Sequence, residues 1–118
     1  MIPARPPTAA THIHIVASPY ALRTPVLRSR GIDALGGAAL SFKCENFQRV
    51  GAFKFRGACN AVWSLDDATA ARGVVTHSSG NHGAALALAA KTRGISAHVV
   101  GPENSVKSKV AAISAYGA

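Results

Sequence analysis

Acidic residues are the scarcest chemistry in this chain: five Asp and Glu stand against thirteen Lys and Arg among 118 residues, a formal net charge of +8. That count is low for a complete domain and fits a portion of a larger one whose remainder carries compensating carboxylates. Long apolar runs are missing as well. None approaches the roughly 20 residues of a membrane-spanning helix, so a soluble protein is expected. Met1–Thr11 holds arginine, prolines and small residues without an apolar centre, which argues against a secretory signal. Met1–Pro25 has no acidic residue and two arginines, Arg5 and Arg23, so a cytoplasmic location is the default and a short organellar leader the alternative. Cysteine is nearly absent. Cys44 and Cys59 stand fifteen positions apart with no second pair, which excludes a zinc ribbon and a redox Cys-x-x-Cys and makes a reducing compartment the default.

What is present is enough apolar material to fold: 48% of residues are hydrophobic and 15% charged. The positive balance raises nucleic-acid binding as a function. The basic residues, however, are scattered singly or in spaced pairs with no run of five, as on ordinary solvated faces. Ala9–Ala21 reads weakly as a helix ended by Pro19, although His12-Ile13-His14-Ile15-Val16 alternates as a strand would. Thr24-Pro25 starts an extended stretch, Gly36-Gly37 a turn, and Ala38–Cys44 a strand with Leu40 and Phe42 on one face. Lys54–Leu65 reads as a helix from the recurrence of Ala58, Ala61, Val62 and Leu65. From Gly73 the pattern is regular: strand Val74–Thr76, alanine-rich helix Asn81–Arg93, strand Ala97–Val100. Two strands separated by such a helix form a βαβ unit with parallel pairing. A helix over Ser105–Tyr116 follows, with Gly117 suited to its left-handed end. An alternating pattern calls for a further strand, so the sheet is expected to be incomplete.

Two stretches suggest chemistry. In Gly51-Ala52-Phe53-Lys54-Phe55-Arg56-Gly57-Ala58, a lysine set between two phenylalanines suits an amine that must shed its proton, which a desolvated setting favours; the plain alternative is a surface lysine with a snorkelling stem. In Thr76-His77-Ser78-Ser79-Gly80-Asn81-His82-Gly83, a strand passes into a helix whose N-terminus offers free N–H groups to an anion. Simple capping of an alanine-rich helix by Ser or Asn explains the same residues, and the two readings are compatible. His12 and His14 would share one face of a strand, but with no third ligand nearby no metal site is expected. His77 and His98 follow apolar strand residues and read as satisfied or partly buried.

Ser41-Phe42-Lys43-Cys44-Glu45-Asn46-Phe47-Gln48 leading into the Lys54 stretch, followed by Ser78-Ser79-Gly80-Asn81-His82-Gly83, resembles the serine racemase and serine/threonine dehydratase family. Thr24-Pro25-Val26-Leu27 and Ala115-Tyr116-Gly117-Ala118 are similar to further stretches of that family, so the resemblance runs from about Leu22 to the C-terminus. It implies an α/β fold with the open twisted parallel sheet of the tryptophan synthase β-like, fold-type II pyridoxal-phosphate enzymes, present here as the N-terminal third. Residues 1–72 would belong to the large domain and 73–118 to the first half of the small one. By position, Lys54 resembles the lysine that binds pyridoxal phosphate covalently and removes the substrate α-proton on one face, and Ser79 the serine acting on the opposite face. Ser78, Ser79, Asn81 and His82 resemble the substrate-carboxylate loop, Asn81 also meets the cofactor, and Phe53 resembles the residue beside its ring. Ala52 replaces a serine common in the family.

The resemblance further implies a small serine- or threonine-like substrate, a homodimer, a divalent cation (Mg or Mn) and ATP as activators of the full-length enzyme, and no nucleic-acid or membrane partner. The 118 residues alone are expected to be inactive. A rival reading is a basic RNA-binding module, since Gly80-Asn81-His82-Gly83 has the Gly-x-x-Gly form of a KH loop; that loop joins two helices, whereas a strand is expected here. A third is a noncatalytic remnant.

Overall fold

Val74–His77 and Ala97–Val100 are four-residue apolar segments, and the thirteen residues Asn81–Arg93 between them are rich in alanine, a strong helix former. They fold as expected. In the computed structural model, which describes residues 19–118, the two strands pair in parallel from Val74↔Ala97 to His77↔Val100. The elements in chain order are β1 (Val26–Leu27), α1 (Arg30–Gly36), β2 (Phe42–Lys43), two 3-10 turns (Glu45–Phe47 and Arg49–Gly51), α2 (Lys54–Trp63), α3 (Asp67–Ala70), β3 (Val74–His77), α4 (Asn81–Arg93), β4 (Ala97–Val100) and α5 (Lys107–Ala115). No helix among the described residues is long and apolar enough to cross a membrane.

The core is organised around α4. Phe55, Ala58, Cys59 and Val62 of α2 pack against Ala85, Leu86 and Ala89 of α4, while Ala84 and Ala87 pack against Ile113 of α5. Small side chains let the neighbours approach closely, and the large fully buried ones come from α2. Burying Phe55 and Val62 contributes roughly 1.5–3 kcal/mol each. Burial also pushes the Cys59 thiol up to about 11, leaving an inert core residue.

Several expectations are corrected. The strand over Ala38–Cys44 shrinks to Phe42–Lys43, antiparallel to β1, and all four residues of this ribbon are exposed. Without a buried face, nothing extends the pairing. Helix α1 was not anticipated: it buries no residue and depends on local bonds, with Ser29 Oγ accepting from the Ile32 amide and Asp33 from the Leu40 amide. The expected Gly36-Gly37 turn is its end, Gly37 being left-handed. In α2 the buried face includes Phe55 and Cys59, and Ala61 is exposed. His77 and His98 are exposed rather than partly buried, because α4 covers the other side of the sheet. Residues 9–18, with His12 and His14, lie outside the described residues; Pro19 and Tyr20 form a turn.

Candidate functional site

Helix α2 begins at Lys54, and how the chain enters it decides where that amine sits. Val50 (φ 57) and Gly51 (φ 66) both adopt the left-handed region, after which Ala52 is extended and Phe53 already helical. A β-branched residue in that conformation costs about 1–3 kcal/mol and persists only when its surroundings over-determine it. Val50 is so held, packed against both core clusters. Lys54 itself is exposed, with Nζ 5.1 Å from the centroid of the Phe53 ring. The expected apolar enclosure by two phenylalanines is therefore corrected: Phe55 is fully buried, whereas Phe53 is 59% exposed. Neighbours at i−1 and i+1 of a helical residue point roughly 200° apart at 3.6 residues per turn, so they cannot both wall in the same side chain.

The charges around this turn are sorted. Arg56 meets Glu45 through two bonds of 2.8 Å, Nε to Oε2 and Nη2 to Oε1, and Nη2 donates to the Leu22 carbonyl at 2.9 Å. Thr24 Oγ1 donates to the same carboxylate at 2.6 Å, and Lys43 Nζ donates to the Thr24 carbonyl at 2.6 Å. The Arg56 guanidinium holds the Glu45 carboxyl down at about 2, against the cost of its partial burial. Gln48, nearly fully buried, accepts from the Leu22 amide and donates to its carbonyl. Lys43 and Arg56 are thus engaged, while Lys54 takes part in no ion pair among the described residues.

The loop from β3 to α4 supplies the second half. Ser78 Oγ accepts from the amides of Gly80 (3.2 Å) and Gly83 (3.0 Å), so the capping role is real. Gly83 is buried, with Val99, Ile113 and Ser78 close around it. Ser79 is exposed and, with Ser78, lines a cleft of about 310 Å³ whose other wall includes Gly101, Glu103 and Ser105. Asn81 faces a different cleft, with Val50, Lys109 and Tyr116, and His82 a third, with Val74, Thr76 and Leu86. The start of α4 brings Ser78 and Ser79 together and spreads Asn81 and His82 to either side; Lys54 lines none of these three clefts. The Gly80–Gly83 segment joins a strand to a helix, unlike the helix-to-helix loop of the RNA-binding alternative.

A family model described as "Pyridoxal-phosphate dependent enzyme" matches residues 17–118. The chain belongs to this family. It is 58% identical over 104 residues to a serine racemase of Arabidopsis thaliana, an alignment covering 88% of this chain and 31% of the relative. It is 50% identical over 116 residues to a β-hydroxyaspartate dehydratase of Paracoccus denitrificans, covering 98% of this chain and 36% of that one. The structure of maize serine racemase superposes with a TM-score of 0.87 at 55% identity, covering 91% of this chain and 32% of the other. The chain spans about a third of the length of these relatives, and the fold-type II assignment is borne out by that superposition.

For a pyridoxal-phosphate dependent enzyme, the residues present fit the cofactor's chemistry. Its aldehyde carbon needs an amine not engaged in an ion pair: of Lys43, Lys54 and Arg56, Lys54 alone makes no ion pair among the described residues, and Arg49, likewise in none, is a guanidinium that donates to the Tyr20 carbonyl. The Glu45–Arg56 pair and Gln48 are the site residues that sequence reasoning missed. Their partners lie 11 and 26 positions away, and no periodicity links residues across such turns.

Proposed function

We propose that the chain is the N-terminal portion of a pyridoxal-phosphate-dependent amino-acid racemase or dehydratase acting on serine- or threonine-type substrates. The observation that carries this reading is an exposed, unengaged Lys54 at the head of α2 in a chain half or more identical to a serine racemase and a hydroxyaspartate dehydratase. Bound pyridoxal phosphate supplies an electron sink for charge developing at the substrate α-carbon.

The protein's own groups do the rest. Lys54 would hold the cofactor covalently, and its free amine would take the substrate α-proton on one face. The Ser79 hydroxyl gives or accepts a proton on the opposite face. The loop of Ser78, Asn81 and His82, with the free N–H groups at the start of α4, would receive the substrate carboxylate, favoured at a helix N-terminus; for this the side chains of Asn81 and His82 must turn from the separate clefts they face here. Asn81 would also contact the cofactor, and Phe53 would pack beside its ring. Proton delivery from the opposite face gives racemisation; loss of the β-hydroxyl as water leaves an enamine whose imine tautomer is hydrolysed by water to a 2-oxo acid and ammonia. To this proposal belong the division into a large-domain portion (1–72) and a small-domain portion (73–118), a homodimer, activation by Mg or Mn and by ATP, and a cytoplasmic location.

The test is Lys54→Ala in the full-length protein, expected to abolish both the near-visible absorbance of the bound cofactor and its reductive fixation. A band that persists overturns the assignment. Ser79→Ala is expected to lower racemisation more than elimination, and equal losses count against its opposite-face role.

A further inference from the structure

We infer that Glu45 and Arg56, assisted by Thr24, form a clamp that fixes the rotation of the first turn of α2 and so sets the direction in which Lys54 presents its amine. The inference rests on the role proposed above for Lys54 and assigns Glu45 and Arg56 as positioning residues.

The first turn of α2 has few other restraints. A helix start leaves four backbone N–H groups without helical partners, and here no side chain caps them. The first amides are closed only by short-range bonds, Phe55 to the Ala52 carbonyl at 3.3 Å and Arg56 to the Phe53 carbonyl at 3.1 Å. The chain enters through the left-handed Val50-Gly51 pair and an extended Ala52, so the 3-10 turn Arg49–Gly51 does not run on into α2 to hold it in line. Phe53 and Lys54 are both exposed, with the Lys54 ammonium 5.1 Å from the centroid of the Phe53 ring, and neither is a core residue.

Two anchors remain. Phe55, fully buried, sets the depth of the turn. Arg56 lies about 100° further around the axis, and its planar fork meets Glu45 with two parallel bonds, a geometry that fixes orientation as well as distance. Glu45 is held in turn by Thr24 Oγ1, and Arg56 also reaches the Leu22 carbonyl, so the clamp is tied to the segment before β1. Ala58 and Cys59 bury the next turn of α2; with Phe55 alone ahead of them, the start of the helix can still fray and pivot. With both anchors, the Cα–Cβ direction of Lys54 is determined.

The test uses the full-length protein with Glu45→Gln, Arg56→Lys, the double variant, and the milder Thr24→Val in case either single variant folds poorly. Two quantities are measured: amide hydrogen exchange in residues 52–58 against α4, and the yield of pyridoxal phosphate fixed on Lys54 by borohydride at constant cofactor concentration, read by peptide mass. Each single variant is expected to speed exchange in residues 52–58 by about tenfold with α4 unchanged, as for a local opening, and to cut the Lys54 yield several-fold. Thr24→Val gives a smaller change of the same kind, and the double variant is no worse than either single one. Unchanged exchange and yield, equal acceleration in α4, or additive losses in the double variant overturn the clamp. Failure of the wild type to fix the cofactor on Lys54 refutes the proposed function instead, while the exchange comparison still decides whether the clamp exists.

Discussion

Gly51 and Gly83 illustrate two different reasons for a missing side chain. At Gly51 the backbone is left-handed (φ 66), and an added Cβ would come no closer than 4.0 Å to the Asn46 carbonyl, so Gly51→Ala is purely a conformational change. It is expected to cost about 1–2 kcal/mol, read as a shift in denaturant midpoint with unchanged slope. At Gly83 a Cβ would sit 3.0 Å from Val99 Cγ1, 3.1 Å from Ile113 Cδ1 and 3.3 Å from Ser78 Cβ. Gly83→Ala therefore requires the Val99, Ile113 and Ser78 side chains to give by a few tenths of an ångström, with an expected loss of about 1–3 kcal/mol and a weakened Ser78 cap. A stability equal to wild type would show that the three walls yield freely. The residue scale also shows where sequence reading stopped. The glycine-bracketed Lys54 stood out, but its exposure did not, because flanking residues in a linear string diverge once they lie on a helix.

Among the elements, legibility followed burial. The β3-α4-β4 unit was readable to within one residue, β3 running on to His77, since a mostly buried alanine helix between short β-branched runs carries its tertiary environment in its composition. Helix α1 and the β1–β2 ribbon were not, because they bury no residue and take their form from local hydrogen bonds. The Glu45–Arg56 pair joins a 3-10 turn to α2, and its pH dependence has a definite sign. The Glu45 carboxyl titrates at about 2 in the folded chain against 4.5 as a free group. Its contribution is therefore complete above about pH 4.5 and fades as the pH falls toward 2. With the two side chains 18% and 26% exposed, screening leaves on the order of 2 kcal/mol at stake. Denaturant midpoints of wild type and Glu45→Gln should differ most at neutral pH and converge between pH 4.5 and 2. A gap that persists at pH 2 would locate the stabilisation elsewhere.

At the scale of the whole molecule, α4 is the member shared by both core clusters, and its far end is secured too. Arg93 donates to the Val62 carbonyl at the end of α2 and to Asp67 Oδ1 of α3 at 3.0 Å. Opening α4 must therefore expose both clusters and release the end of α2, whereas opening the β1–β2 ribbon frees four residues that water already reaches. Local stability tracks the apolar surface that opening would expose to water, so α4 amides should exchange most slowly and those of the ribbon fastest. The same asymmetry predicts the response to added volume. Ala85, fully buried on α4 and packed in the cluster with α2, is enclosed by core side chains, and Ala85→Leu should cost about 1–3 kcal/mol. Ala61, on the exposed face of α2, should accept leucine within about 0.5 kcal/mol. If hydrogen exchange placed α4 among the fast segments, or if the two leucines cost the same, α4 would not be the centre of this fold, and the segments bearing Lys54 and Ser79 would lack the common support that both halves of the site require.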